Sequence, residues 1–417
     1  MEQLCRFLDT SPSMYHAIEN LRAQFAAAGY VQLSEKDAWT IVPGGKYCLT
    51  RGGSAFVAFQ IPAEPAGFAV AACHSDRPCL KIKDDLLLSG TYARLSVETY
   101  GGLIMSTWLD RPLSIAGRVF VETETGIESR LVNVDRDIAL IPNVAIHMNR
   151  EVNTGYKWNP AIDLIPLVGG KDAGEKLTGL LEQAAGGKIV SHDLYLYIRE
   201  NARVWGIDNE FISAPALDDL GCVWAAAQGL LETEDTKSIP VLCVFDSEEV
   251  GSSSPQGADS TLLTDVLGRI CKSLHLEKKR MYAGSFLLSA DNGHAIHPNH
   301  PECADAANAP VLNGGIVLKF NSDLRYTTDG YSAAVVRHFS REAGITTQNY
   351  YNRADIKGGS TLGHISAGHL SVPAADIGLP QLAMHSCYET AGVKDTADMV
   401  ALMKAYFTGY SPEIVRN

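Results

Sequence analysis

Ile239-Pro240-Val241-Leu242-Cys243-Val244-Phe245-Asp246-Ser247-Glu248-Glu249-Val250-Gly251-Ser252 begins as a continuous apolar run and ends in two adjacent carboxylates. An uninterrupted run of this kind, rich in valine, reads as a strand buried on both faces. Gly251 and the serines after it stop the strand, so Glu248 and Glu249 fall at its carboxyl end. Ligands bind at that edge in open α/β sheets. A neighbouring glutamate pair in a loop is ordinarily solvated surface. Here other ligand-type side chains stand at matching places.

Working outward, Phe68 to Cys73 is a second short apolar strand, and it delivers His74-Ser75-Asp76. His74 has the chemistry to ligate a metal through one ring nitrogen, with Asp76 two residues on to fix its orientation and tautomer. Ser285 to Ala290 is a third apolar run, ending in Asp291. Asp218 and Asp219 precede an apolar helix spanning Leu220 to Leu231. Asp219 reads as its N-cap, which leaves Asp218 without a structural explanation. His294, His297 and His300 crowd a loop with Pro298, where a rigid turn with some structural histidines is expected. Ile316 to Asn321 is a strand carrying Lys319. Gly358-Gly359-Ser360 leads into a helix from Thr361, a place where backbone N–H groups can face a carboxylate or merely form a loop. His385 stands in Met384-His385-Ser386-Cys387-Tyr388-Glu389-Thr390.

The chain has 417 residues, beyond one ordinary core, so two domains are expected. Hydrophobic residues make up 46% and charged residues 20%, an ordinary globular mix. A formal net charge of -13 argues against nucleic-acid or anionic-membrane partners, which need a basic surface. It also repels acidic substrates at long range, so a preference for one requires a local cation. The nine cysteines show no metal-type spacing and read as free thiols in a reducing, cytoplasmic setting. Neither a signal peptide nor a membrane-length apolar run is expected.

Ser11 as N-cap and Pro12 open a helix through Met14, Ile18, Leu21 and Phe25, which Gly29 ends. Ala55 to Ile61 is a strand. From about Leu86 to Ser213 the texture shifts to short alternating strands, such as Val119–Val121 and Leu194–Ile198, with Lys171 to Lys188 expected to be a glycine-rich mobile loop. The organisation is a catalytic α/β domain, 1–85 plus 214–417, with a β-rich insertion at 86–213.

His74, Asp218, Glu249, Asp291 and His385 together offer two imidazoles and three carboxylates. That set suits Zn²⁺ first, with Co²⁺ or Mn²⁺ as alternatives. Five ligands exceed the need of one catalytic zinc, and a bridging carboxylate lets them serve two. Glu248, outside the ligand count, is then free to act as general base.

CHSDRPCLKIK, STWLDRPLSIAGRV, IPNVAIHMNR, SAPALDDL, VFDSEEVGS, LSADNGHAIHPN, KFNSDLRYTT, GGSTLG and LPQLAMHSCYETAG occur in this order along the whole chain. In these segments the sequence resembles the M18 metalloaminopeptidases, the aspartyl aminopeptidases and their bacterial relatives. The resemblance implies a mixed-sheet zinc-exopeptidase domain of α/β, phosphorylase/hydrolase-like type with an inserted β-rich dimerisation domain. It assigns His74 and Asp291 to one metal, Glu249 and His385 to the other, and Asp218 to the bridge. Glu248 is implied as the base and Asp76 as the support of His74. His147 would reach a neighbouring subunit's site to stabilise the oxyanion, and the assembly would be a tetrahedral dodecamer of dimers. Lys319 matches the lysine that pairs with an acidic substrate side chain, so peptides with N-terminal Asp or Glu are the expected substrates. Asp355-Ile356-Lys357-Gly358-Gly359 departs from the eukaryotic pattern, with Lys357 adding a cation or altering the pocket. The alternatives are specificity for neutral or hydrophobic N-termini, a carboxypeptidase or amidohydrolase anchored by Arg325 or Arg353, and a hollow scaffold.

Overall fold

The computed structural model describes residues 1–88, 90–356 and 358–415. Ile239–Phe245 forms a strand whose every residue is buried. Phe68–His74 pairs with it in parallel, Ala55–Gln60 antiparallel. Phe286–Ala290 lies parallel on the other side of Phe68–His74, and Ala374–Gly378 parallel beyond that. These belong to a nine-stranded mixed sheet in the order Val31–Gln32, Lys46–Arg51, Ala55–Gln60, Ile239–Phe245, Phe68–His74, Phe286–Ala290, Ala374–Gly378, Ile316–Phe320, Thr347–Tyr351. The central strands are apolar on both faces because helices cover both. Met14–Ala27, Leu217–Leu231, Gly330–Glu342 and Val393–Gly409 pack on one side. Leu262–Ser273 and Leu362–Leu370 pack on the other. In the parallel register Phe245 sits beside His74, so the carboxyl ends of neighbouring strands finish together.

A six-stranded antiparallel sheet draws on residues 79–198, in the order Gly126–Asn133, Leu113–Thr123, Ile189–Ile198, Cys79–Leu88, Tyr92–Tyr100, Leu167–Gly170. It has its own core around Leu95, Ile115, Val119, Leu194 and Leu196. A small third sheet joins Arg203–Trp205, Phe211–Ala214, Glu389–Gly392, Pro380–Leu382 and Gly293–His294.

Three local expectations are corrected. Lys171 to Lys188 is not a loop: Ala173–Ala185 is helical, with Leu177, Leu181 and Ala185 buried one turn apart and Gly186 left-handed at its end. Packing of that stripe outweighs the helix cost of its glycines. The helix after Pro12 starts at Met14, with Ser13 rather than Ser11 at the N-cap, and Glu2–Asp9 is a further helix before it. Asp219 does not cap its helix; it has non-helical dihedrals and its side chain turns to the strand beside it.

Candidate metal centre at the sheet edge

Five segments meet at the carboxyl ends of the central strands. His74 is the last residue of its strand. After Phe245 the chain reverses at Ser247, which has a positive φ, and presents Glu248 and Glu249 from a single 3-10 turn. Asp291 directly follows Ala290. Asp218 lies in the irregular start of its helix, and His385, also with positive φ, lies on the turn between Pro380–Leu382 and Glu389–Gly392. His74 Nε2 is 3.5 Å from Asp218 Oδ1. His385 Nε2 is 3.7 Å from Asp218 Oδ2 and 3.3 Å from Glu249 Oε2. Two donor triads result, His74–Asp218–Asp291 and Asp218–Glu249–His385, each with its ligand atoms within 4.8 Å of one another. Asp218 belongs to both. A further grouping joins His74, Glu248 and Glu249.

The residues behind these donors hold them in place. Asp76 is fully buried, and its two oxygens accept the backbone N–H groups of Glu248 and Glu249, each at 3.1 Å. Its carbonyl oxygen lies 3.2 Å from His74 Nδ1, leaving Nε2 to face Asp218. Tyr100, from the six-stranded sheet, donates its hydroxyl to Asp76 at 2.8 Å. The same segment continues to Gly102, whose carbonyl accepts from His385 Nδ1 at 2.9 Å, and to Ile104, whose N–H binds the His385 carbonyl. That hydrogen bond frees His385 Nε2 for Asp218 and Glu249. Gly101 has a φ of +71°, and a Cβ there would stand 3.1 Å from the Glu249 Cβ, so glycine is required at this crossing. Glu389 accepts the N–H of Asp218 at 3.0 Å and that of His385 at 2.8 Å. Asp219 accepts the N–H of His74 at 3.2 Å.

Anions outnumber cations in this cluster. Burial, reinforced by Asp218, holds Glu249 far above the usual carboxylate range. Burial and the Asp291, Asp76 and Asp218 charges push Glu248 up to about 8, against the pull of His74. Asp291 is raised by burial and by Asp218, although Lys319 opposes this. Burial alone would lower His74, but Asp218 and Asp76 hold it well above its ordinary value. Asp218 Oδ1 is buried without a hydrogen-bond partner. Carboxylates packed this way, and an orphaned oxygen on the carboxylate that stands between two imidazoles, are what a divalent cation neutralises. The residues fit the metal that their types imply.

A cavity of about 290 Å³ opens over the cluster. Lys319 lines it and is the only lysine or arginine among the described residues that do. Its ammonium donates to the Asn292 carbonyl at 2.8 Å and lies 3.8 Å from Asp291 and 5.5 Å from the centre of the Tyr326 ring. Burial would lower its pKa, but Asp291 holds it up, so the side chain is a fixed cation. His294 and Tyr350 complete the far wall. His297 and His300 lie outside, exposed and paired across a tight turn. Arg325 and Arg353 do not line the cavity, and Arg353 is paired with Asp355 at 2.7 Å. Lys357 lies outside the described residues. His147 is exposed on an irregular stretch and takes no part in either triad. The nine cysteines are free.

Sequence patterns found the donors at strand ends but passed over Tyr100, the Gly102 carbonyl and Glu389. Glu389 lies within a quoted segment, four residues after His385, and nothing in that spacing signals a carboxylate that binds two backbone N–H groups.

Residues 7–407 match the family model described as Aminopeptidase I zinc metalloprotease (M18). A Clostridium novyi (strain NT) protein named as a probable M18 family aminopeptidase 2 is 39% identical over 97% of this chain and 98% of its own length. One of the same name from Pseudomonas savastanoi pv. phaseolicola is 38% identical over 98% and 97%. Among solved structures, one titled as the complex of Ape4 and Nbr1 superposes with a TM-score of 0.96 at 35% identity, covering 100% of this chain and 87% of that one. The crystal structure of prApe1 superposes at 0.92 with 27% identity, covering 98% and 94%. A structure titled as the S. cerevisiae mApe1 dodecamer superposes at 0.86 with 27% identity, covering 98% and 96%.

Proposed function

Because the chain belongs to the M18 family of zinc aminopeptidases, its reaction is hydrolytic release of N-terminal residues from peptides, and we propose that it uses two divalent cations with Glu248 as acid–base group. The observation that carries this reading is the sharing of Asp218 between two donor triads. His74 and Asp291 would hold one cation, Glu249 and His385 the other, with Asp218 between them. The mixed nitrogen and oxygen donors favour Zn²⁺ and accept Co²⁺ or Mn²⁺.

Once bound, the metal pair supplies polarisation of the scissile carbonyl and a water acidified toward neutrality. Glu248 makes no ion pair among the described residues and faces the same cavity. It takes the proton of the attacking water and passes it to the departing amine. Asp76 keeps Glu248 and Glu249 in one fixed turn through their N–H groups. Lys319 sits where the first side chain of the peptide enters and favours Asp or Glu there. A buried ammonium is the local cation that an acidic protein needs for an acidic substrate.

The likeness to a dodecameric neighbour supports homo-oligomerisation, and we place the assembly as a tetrahedral dodecamer of dimers. Met148 and Ile162, 82% and 71% exposed, belong to the same stretch as His147 and suit a face that another subunit covers. His147 then enters a neighbouring site as an oxyanion donor. No helix of the described residues is long and apolar enough to cross a membrane.

The test is hydrolysis of Asp-, Glu- and Leu-p-nitroanilide by metal-stripped protein as Zn²⁺, Co²⁺ and Mn²⁺ are titrated back. Activity that returns at about two metals per subunit and favours the acidic substrates is expected. Full activity at one metal removes the paired site, and a preference for Leu removes the role of Lys319. His147→Ala is expected to lower kcat with metal content unchanged.

A further inference from the structure

The segment from His294 to Cys303 contributes to neither donor triad. Four side chains with metal-ligand chemistry stand on it at every third position: His294, His297, His300 and Cys303. All four line one cavity of about 450 Å³. Backbone bonds bring the last three together. His300 N–H donates to the His297 carbonyl at 3.2 Å, and Cys303 N–H to the His300 carbonyl at 3.1 Å. A turn closed in this way holds its first and fourth Cα atoms within about 7 Å. Pro298 and Pro301 fix φ inside the two turns. The rings of His297 and His300 have centres 5.3 Å apart. Two imidazoles on one tetrahedral cation, with bonds of about 2.0–2.1 Å, place their ring centres about 5 Å apart.

We propose that His297, His300 and Cys303 form a further site for a divalent cation of the Zn²⁺ or Co²⁺ class, separate from the donor cluster. Imidazole combined with thiolate selects such cations over Mg²⁺ and Ca²⁺. His300 Nδ1 lies 3.0 Å from Glu302 Oε1, which leaves Nε2 for the cation. His297 Nδ1 accepts the Asn299 N–H at 3.2 Å, so this atom carries a lone pair. The cation takes that lone pair, and the N–H of the exposed Asn299 turns to water. Cys303 is the only fully exposed cysteine of the nine, and its thiol proton passes to solvent on binding. Three protein donors leave a fourth position open to the cavity for water. Arg353 also lines the cavity, but its guanidinium is taken by Asp355 and the Glu302 carbonyl. The three donors are exposed and close on the cation by side-chain rotation, so this site binds more weakly than the buried cluster and fills after it. Its occupancy does not depend on the aminopeptidase reading.

The experiment titrates Co²⁺ into protein whose donor cluster has first been filled with Zn²⁺. None of the cluster's donors carries sulfur, so a sulfur-to-cobalt charge-transfer band in the near ultraviolet reports a thiolate ligand outside it. The band is expected to grow and saturate, and alkylation of Cys303 by iodoacetamide to slow in step with it. Cys303→Ser is expected to abolish the band. His297→Ala and His300→Ala are each expected to weaken Co²⁺ by about tenfold or more, since loss even of an outer partner of a ligand costs that much. All three side chains are exposed, and thermal melts confirm that each variant is folded. Absence of a band in excess Co²⁺ overturns the site. So does a band that survives in Cys303→Ser, which places the thiolate on another cysteine. Unchanged affinity in both histidine variants also overturns it, by reducing the site to a thiol alone.

Discussion

The mouth of the nine-stranded sheet and the six-stranded unit meet hydrogen bonding in opposite ways. At the mouth, polar side chains are buried and two carboxylates are each held by a pair of backbone donors: Asp76 by Glu248 and Glu249, and Glu389 by Asp218 and His385. In the six-stranded unit the interior is an ordinary apolar core, and the unusual feature is outside, where Ile127, Met148 and Ile162 stand exposed. The first region packs carboxylates and imidazoles together within a hydrogen-bonded frame. The second leaves these apolar side chains exposed. One of their contacts is Tyr100 to Ile104, where the six-stranded unit supplies a hydroxyl to Asp76 and a carbonyl to His385. Through this strap the six-stranded unit reaches the donor cluster.

The largest effect should come from Glu248→Gln, the change that removes a proton acceptor while keeping shape. We expect kcat to fall by about 10²–10⁴ with two metals still bound by elemental analysis. Activity within tenfold of the parent would take Glu248 out of the reaction. Removal of metal by a chelator should come next. A cation at a thousandfold its Kd stabilises the fold by about 4 kcal/mol, so the melting temperature should drop. Hydrogen exchange should quicken at Glu248–Gly251, Asp291–Gly293 and His385, and not in Leu113–Thr123 or Ile189–Ile198. Equal quickening in both regions would erase the distinction between them.

The two regions also differed in how much of them could be read from residues. The polar residues His74, Glu248–Glu249 and Asp291 announce themselves, because a buried apolar run is a one-dimensional signal and each of them stands at its end or within a few residues of it. Asp219 deceived for a related reason. An aspartate before a helix looks the same whether it caps that helix or reaches to His74, and only the neighbouring strand decides. Glu389 and Tyr100 bind partners 171 and 24 residues away in sequence, and no periodicity records such contacts. The helix Ala173–Ala185 was hidden by glycines whose intrinsic cost its buried leucine stripe overrides. The family resemblance supplied His147 a role that neither its spacing nor its exposed position in one chain would suggest.

The hydrogen bonds behind the donors can be tested more finely, in the small sheet at Glu389 and in the strap at Tyr100. Glu389→Gln leaves one acceptor oxygen where two N–H groups need one each, and turns an amide N–H toward the other. Metal affinity should weaken by about 10–100-fold, as for other outer partners of metal ligands. Chelator competition measures it directly. Tyr100→Phe removes one hydroxyl from Asp76, which retains two backbone donors, so its loss should be smaller, about tenfold or less. A Tyr100→Phe protein with unchanged metal affinity and a lower melting temperature would reduce the strap to packing. A loss matching that of Glu389→Gln would make the six-stranded unit a full member of the metal site.

The smallest effect lies in the helix Met14–Ala27. His16 accepts or donates one hydrogen bond with Ser13 Oγ at 2.8 Å and is largely buried. Burial, with Arg77 nearby, lowers its pKa to about 4. The folded chain therefore keeps this imidazole neutral, while the unfolded chain charges it below about 6.5. Unfolding takes up a proton in that window, so stability is lost as pH falls from about 6.5 toward 4 and is unaffected above it. At pH 5 the cost is on the order of 1–2 kcal/mol. His16→Gln should flatten that part of the melting curve against pH relative to the parent. Parallel curves for the two proteins between pH 7 and 5 would mean that His16 is hydrated in the folded chain and that its burial in this helix does not set its charge.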